Sequence, residues 1–209
     1  MNVSHPVRGV IPTLDAPVLE ALAGTTKPLS GREVYRLARA GSDRGVRLVL
    51  NRLVAQGIAI ADEHAGSTLY VGNRAHLAWP AIEALVGLRA TLFDRLRELI
   101  GGWPIAPIHA SLFGSAARGD GDDRSDIDVL IVRADAAPDD AWEAQLDSLH
   151  SWVLESTGNR CQIFDVDRSR FADHVAAGDP LVDAWRRESI HLVGASIETL
   201  VRTSRRRSA

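Results

Sequence analysis

Apolar and polar positions along the chain fall into two regimes. In residues 14–23, Leu14, Val18, Leu19 and Leu22 recur at helical spacing, and Gly24 is placed to end the helix. Ser30 with Glu33 forms an S-x-x-E capping box ahead of Val34, Leu37 and Ala38, which predicts a short second helix running up to Gly41. Ser42 or Asp43 can cap a third helix whose stripe is Val46, Leu50, Leu53 and Val54, with Gly57 as its stop. Residues 58–61 and 68–71 are short runs rich in branched and aromatic side chains with a polar segment between them, the pattern of a β-hairpin. From Trp79-Pro80 onward, Ile82, Leu85, Leu88, Leu92, Leu96 and Leu99 predict one long helix ending at Gly101-Gly102. After it the periods alternate. Strands are expected at 108–113, 126–132 and 160–166, helices at 140–156 and 168–177, and a last helix and strand around Leu181, Val182, Trp185 and residues 190–193.

This alternation predicts an α+β protein of two unequal domains, 1–78 and 79–203, with 204–209 as a disordered basic tail carrying Arg205, Arg206 and Arg207. A hydrophobic fraction of 45% and a charged fraction of 24% are those of a globular domain, which excludes disorder and fibrous repeats. Cys161 is the one cysteine, so a disulfide framework and a cysteine-based zinc site are excluded, as suits a reducing cytoplasm. No apolar run reaches the roughly 18 residues of a membrane span, and residues 1–17 do not read as a signal peptide, so a cytoplasmic protein is expected. Lys27 is the only lysine among many arginines, the usage of a bacterial genome rich in G and C. The net charge of -3 is uneven: residues 1–80 hold nine basic and six acidic side chains, and the remainder is net negative.

Three short helices followed by a hairpin resemble the winged helix-turn-helix. That resemblance implies a third helix lying in the major groove, a hairpin touching the backbone, and a homodimer that matches paired half-sites. Arg44, Arg47 and Arg52 lie off the apolar stripe of that helix and become candidate contacts to DNA or RNA. Modules of this kind also serve in dimerisation or docking.

The densest chemistry lies in residues 107–133. Gly114 follows an apolar strand, where it lets the backbone approach an anion, and Ser115 opens a helix whose free N–H groups favour phosphate. Asp126 and Asp128 flank Ile127 at the start of the next strand, so alternation places both carboxylates on one face. Two adjacent carboxylates repel each other, and a hard divalent cation such as Mg²⁺ relieves that repulsion. The seven histidines, His109, His150, His174 and His191 among them, have no metal-type spacing, and neither Ser111 nor Ser115 has a His/Asp pair to make it a nucleophile.

Gly114-Ser115-Ala116-Ala117-Arg118-Gly119 followed by Ser125-Asp126-Ile127-Asp128 resembles the signature of the DNA polymerase beta-like nucleotidyltransferase superfamily, in particular its minimal bacterial and archaeal members. The motif spans about 25 residues, and the surrounding element order fits from roughly residue 86 to 195. The resemblance implies a C-terminal nucleotidyltransferase domain with a mixed sheet flanked by helices. It makes Gly114 and Ser115 a triphosphate cradle, Arg118 a phosphate contact or surface charge, and Asp126 and Asp128 the catalytic, metal-binding carboxylates. The implied reaction is attack of an acceptor hydroxyl on the α-phosphorus of a nucleoside triphosphate, with Mg²⁺ as cofactor and pyrophosphate leaving.

The family's third carboxylate usually lies on the next core strand, where Gln162 stands in this chain and Asp165 follows three residues later. An odd separation puts these two on opposite faces of a regular strand. The residues leave three readings open: a different register, a bulge that turns Asp165 inward, or an absent third carboxylate. Asp120, Asp122 and Asp123 read as solvated turn residues, and Asp167 as a helix cap. Two functions follow from different weightings. One is a nucleotidyltransferase with a nucleic-acid-binding or partner-binding module, whether free-standing or one component of a toxin–antitoxin pair. The other is a DNA-binding transcription regulator whose transferase domain has become a nucleotide sensor.

Overall fold

The computed structural model describes residues 1–64 and 66–207, apart from the side chains of His64 and Arg207. They form two compact units, His5–Arg89 and a second made of Met1–Ser4 with Ala90–Ala209.

The first unit runs α1 (Pro6–Val10), α2 (Asp15–Ala23), β1 (Leu29–Ser30), α3 (Gly31–Ala38), α4 (Asp43–Ala55), β2 (Ala59–His64), β3 (Ser67–Gly72) and α5 (Trp79–Val86). The capping box forms: Ser30 Oγ accepts from the Glu33 amide, and the Glu33 carboxylate accepts from the Ser30 amide at 2.8 Å. The bonds the carboxylate accepts from the Ser30 amide and from Ser30 Oγ hold the Glu33 carboxyl below its ordinary range. Ser42 caps α4 by accepting from the Gly45 amide. α3 stops two residues before the expected Gly41, because Arg39 already turns left-handed at φ 49°. Val18, Leu22, Val34, Val46, Leu50 and Trp79 make the core. β2 and β3 form the expected hairpin, and β1, invisible to periodicity because it is only two residues long, adds a third antiparallel strand in the order β1-β3-β2. Ala65 in the hairpin loop lies outside the described residues.

The long helix expected from residue 79 is two helices. α5 ends at Gly87, and α6 (Leu88–Gly101) starts anew. The unit boundary accordingly falls at Arg89 and not at 78/79. The reason is Trp79, which is buried in the first unit's core, where a Cβ at Gly72 would overlap its indole.

The second unit continues with β4 (His109–Phe113), α7 (Gly114–Arg118), β5 (Ile127–Arg133), α8 (Asp139–Thr157), β6 (Cys161–Asp167), α9 (Arg168–Ala176), α10 (Pro180–Glu188), β7 (Ile190–Gly194) and α11 (Ile197–Arg207). Its sheet is mixed, in the order β6-β5-β4-β7, with β4 antiparallel to β5 and β7, and β5 parallel to β6. Helices cover both faces, so central β5 is apolar on both sides. Ile127, Val129 and Ile131 join Leu96, Ile100, Trp142 and Leu149 in one core, while Leu130 and Val132 join Phe171, Trp185 and Leu200 in another. Asp167 caps α9 as expected, accepting from the Arg170 amide at 2.7 Å.

The tail expected at 204–209 is helical through Arg207, and Ser204 is buried on the inner side of α11. Ile197, Leu200 and Val201 anchor that helix to the core, an apolar stripe that the neighbouring arginines obscure in the sequence. Residues 208–209 lie outside the described residues.

Candidate active site

β4 delivers the chain to Phe113, which pairs with Asp128 across the antiparallel ladder. At the next residue the backbone turns sharply. Gly114 has φ 66°, a left-handed conformation that favours glycine, and a Cβ there would overlap Oδ2 of Asp128. The strand-to-helix turn is therefore pressed directly against a carboxylate.

Asp128 and Asp126 are both half-buried. Burial raises the Asp128 carboxyl above its ordinary value, the neighbouring Asp126 charge raises it further, and Arg118 opposes both. Cys161, opposite Ile127 on β6, feels the same pair: burial first, then the charges of Asp128 and Asp126, push its thiol up to about 12. Asp126 beside the raised Asp128 carboxyl, set against a turn that admits no side chain, gives a pair of oxygen donors of the kind a hard cation takes. Among the described residues no cluster of three or more acidic, histidine or cysteine side chains could hold a metal, so the pair stands without a third ligand of those types.

Gln162 is the residue beside Asp128 in the parallel ladder, and Asp165 is the residue beside Ile131. Asp165 therefore belongs to the opposite face of the sheet. There it accepts from Trp142 Nε1 at 3.1 Å and lies 3.6 Å from Arg133 Nε. The ladder has no bulge between β5 and β6, so nothing turns Asp165 inward, and it does not join Asp126 and Asp128. Of the three readings, the bulge that would make Asp165 the third catalytic carboxylate is not found, and Asp165 is a helix-to-sheet tie.

Arg118 at the end of α7 is exposed and held by two carboxylates, with Nε 3.0 Å from Asp120 and Nη1 2.8 Å from Glu188. Glu188 is a partner of Arg118 that no sequence signal marks, because 70 residues separate the two. Asn159 was likewise missed. Nearly buried, it donates through Nδ2 to the Ser125 carbonyl at 2.9 Å and accepts from the Met1 amino nitrogen at 2.6 Å. It thereby holds the loop that presents Asp126. Gly121 is the third, since a Cβ there would come within 2.9 Å of Ser115 Oγ. Asp122 is a turn residue, accepting from the Arg124 amide and Ser125 Oγ.

Residues 91–164 match the nucleotidyltransferase domain family. The match spans α6 to β6 and so includes the Gly114-Ser115 turn, both carboxylates and Gln162. No curated protein matches the chain. Among solved structures, the chain is similar to a toxin–antitoxin with AMP-PNP at 20% identity, covering 56% of this chain and 86% of that one, with a TM-score of 0.39. It is also similar to a mutant of the toxin–antitoxin MntA-HpeT at 18% identity, with the same coverages and TM-score.

In the first unit, Arg44 is exposed, Arg47 pairs with Asp43 one helical turn away at 3.1 Å, and Arg52 pairs with Asp15 of α2. Arg52 thus fastens α4 to α2, and of the three Arg47 is the one that lies beside hairpin residues. A polar hollow of about 310 Å³ lies there, lined by Gly31, Arg32, Arg47, Ser67, Thr68 and Tyr70.

Proposed function

We propose that the second unit is a nucleotidyltransferase that moves a nucleoside monophosphate from a nucleoside triphosphate to an acceptor hydroxyl. The observation that carries the proposal is the abutment of the Gly114 turn on the Asp128 carboxylate, with Asp126 beside it, inside the matched segment. Gly114 and Ser115 present backbone amides to a triphosphate, and Arg118 supplies a guanidinium suited to bidentate phosphate contact once it leaves Glu188. Asp126 and Asp128 would hold Mg²⁺, which supplies neutralisation of the triphosphate and of the charge developing on pyrophosphate. Gln162 offers the acceptor a hydrogen bond but no negative charge.

The first unit is a winged helix in this reading. Supporting it are the order of its three main helices and hairpin, the exposed Arg44 and Arg47 on α4, and the polar hollow between α3, α4 and the hairpin, which is sized for phosphate groups. Its partner is DNA or RNA.

One observation favours a second reading: glutamine, not a carboxylate, adjoins Asp128. A site that binds nucleotide without transferring it would make the protein a nucleotide-responsive transcription regulator. Incubation with Mg²⁺, each α-labelled nucleoside triphosphate and a host lysate separates the two. Label transferred by the wild type and lost in Asp128→Asn establishes the transferase. Nucleotide binding without transfer, with DNA binding that survives Asp128→Asn, establishes the regulator.

A further inference from the structure

The arginines at the end of the chain have no part in the reaction proposed above, and the fold gives them a fixed place. Ile197, Leu200 and Val201 of α11 are buried in the core, so the opposite side of the helix faces outward in one orientation. Arg202, Arg205 and Arg206 stand exposed at helical spacing, and with Arg186 of α10, Glu198 and Val201 they line a groove of about 310 Å³. Among the described residues no acidic side chain forms an ion pair with Arg202, Arg205 or Arg206, whereas Arg95, Arg97, Arg118, Arg133 and the groove's own Arg186, which lies 3.6 Å from Asp183, each have one. The setting sharpens the point, because residues 90–209 carry fourteen arginines against twenty acidic residues. A basic groove has been concentrated on an acidic unit.

We propose that this groove binds the phosphodiester backbone of a nucleic acid, independently of the winged-helix unit. Guanidinium groups match phosphate oxygens in bidentate pairs, and unpaired arginines cost nothing to recruit. From Arg202 to Arg206 the helix rises about 6 Å, close to two steps of about 3.4 Å along a nucleic-acid strand. No aromatic side chain lines the groove, so the contact is with backbone and is indifferent to base sequence. A lipid surface is disfavoured, since the apolar side of α11 is already buried in the core and leaves nothing to insert. This inference stands apart from the transfer reaction and survives its failure.

The test is fluorescence-polarisation binding of the full chain to a labelled 20-nucleotide single-stranded RNA, the same sequence as single-stranded DNA, and a DNA duplex, across a salt series. The triple variant Arg202→Gln, Arg205→Gln, Arg206→Gln should lose at least tenfold in affinity for one or more of these probes. Its slope of log affinity against log salt should fall by about 2 for a single strand. The corresponding Arg→Lys triple variant should stay within a few-fold of wild type, and which probe suffers most tells RNA from DNA. Arginine-selective modification of the wild type by phenylglyoxal, read by mass spectrometry, should show Arg202, Arg205 and Arg206 protected by the nucleic acid, a result that needs no variant to fold. The proposal is overturned if the glutamine variant keeps wild-type affinity and slope, if the three arginines are not protected, or if polyglutamate competes as well as RNA, which would mark an acidic protein as the partner.

Discussion

Gln162 stands beside Asp128 in the parallel β5–β6 ladder, on the same side of the sheet, at the place where a third carboxylate would complete the Asp126–Asp128 pair. Gln162→Glu should therefore make three mutually repelling charges. Without divalent cation the variant should unfold at a lower temperature than wild type, by an amount equivalent to about 1 kcal/mol, and Mg²⁺ should restore it. Label transfer from an α-labelled nucleoside triphosphate should rise at the same time. Melting curves that respond equally to Mg²⁺ in both proteins would sink this view of the site.

Asp165 is a structural group in this fold. Asp165→Ala leaves the buried Trp142 Nε1 without its acceptor, while Arg133 keeps its 2.8 Å pair with Asp139, and the orphaned indole N–H should cost about 1–3 kcal/mol in urea unfolding. Transfer per folded molecule should be unchanged. A large loss of turnover in a fully folded sample would return Asp165 to the chemistry.

Gly114→Ala meets two obstacles, a left-handed backbone and the Asp128 carboxylate. The strain alone is about 1–3 kcal/mol, and relief requires Asp128 to move. Loss of Mg²⁺-dependent nucleotide binding, measured by calorimetry, should exceed what the drop in stability explains.

Arg118 is held by both Asp120 and Glu188, and in the proposed reaction a triphosphate competes with them for its guanidinium. Glu188→Gln removes one of the two competing charges and should tighten triphosphate binding by up to about fivefold, the worth of an exposed ion pair. Arg118→Ala should weaken it by roughly tenfold to a hundredfold, as expected for a charge-assisted hydrogen bond. Equal affinities in all three proteins would remove Arg118 from the nucleotide site.

His109 is fully buried in β4, with Nδ1 2.7 Å from the Ala195 carbonyl and Nε2 2.9 Å from Ser111 Oγ. The carbonyl can only accept, so Nδ1 carries the proton and Nε2 accepts from the serine. Burial, the larger effect, lowers the imidazole's affinity for a second proton below the ordinary value of 6.5. The unfolded chain thus binds a proton that the folded chain refuses, and stability falls as pH drops below about 6.5 toward the lowered folded value. His109→Gln should flatten the melting temperature's dependence on pH between 7.5 and 5.5, values chosen to be about one unit either side of the histidine range. An unchanged slope would assign the pH dependence to other groups.

Local signals made much of this protein legible. The S-x-x-E box, the serine cap of α4 and the aspartate cap of α9 form as residues a few positions apart require, because capping is decided within one turn of chain. The Gly114-Ser115 and Asp126-Ile127-Asp128 elements come together because an antiparallel pair of strands joins them over a short loop. Neither β1 nor the break at Gly87 was visible, since two residues show no period and a glycine interrupts an apolar pattern without changing it.

Sequence by itself determined the alternation of strands and helices in the second half, and the placing of two carboxylates on one face by a period of two. Only the tertiary structure decided which residue of β6 stands beside Asp128, because the register of a parallel pair is set by packing on both faces and not by either strand alone. It also decided that Arg118 meets Glu188, that Asn159 holds the loop before Asp126, and that the terminal arginines ride on a docked helix. Those partners lie tens of residues apart in the chain, and the free energy that joins them comes from burial of apolar surface that no local pattern records.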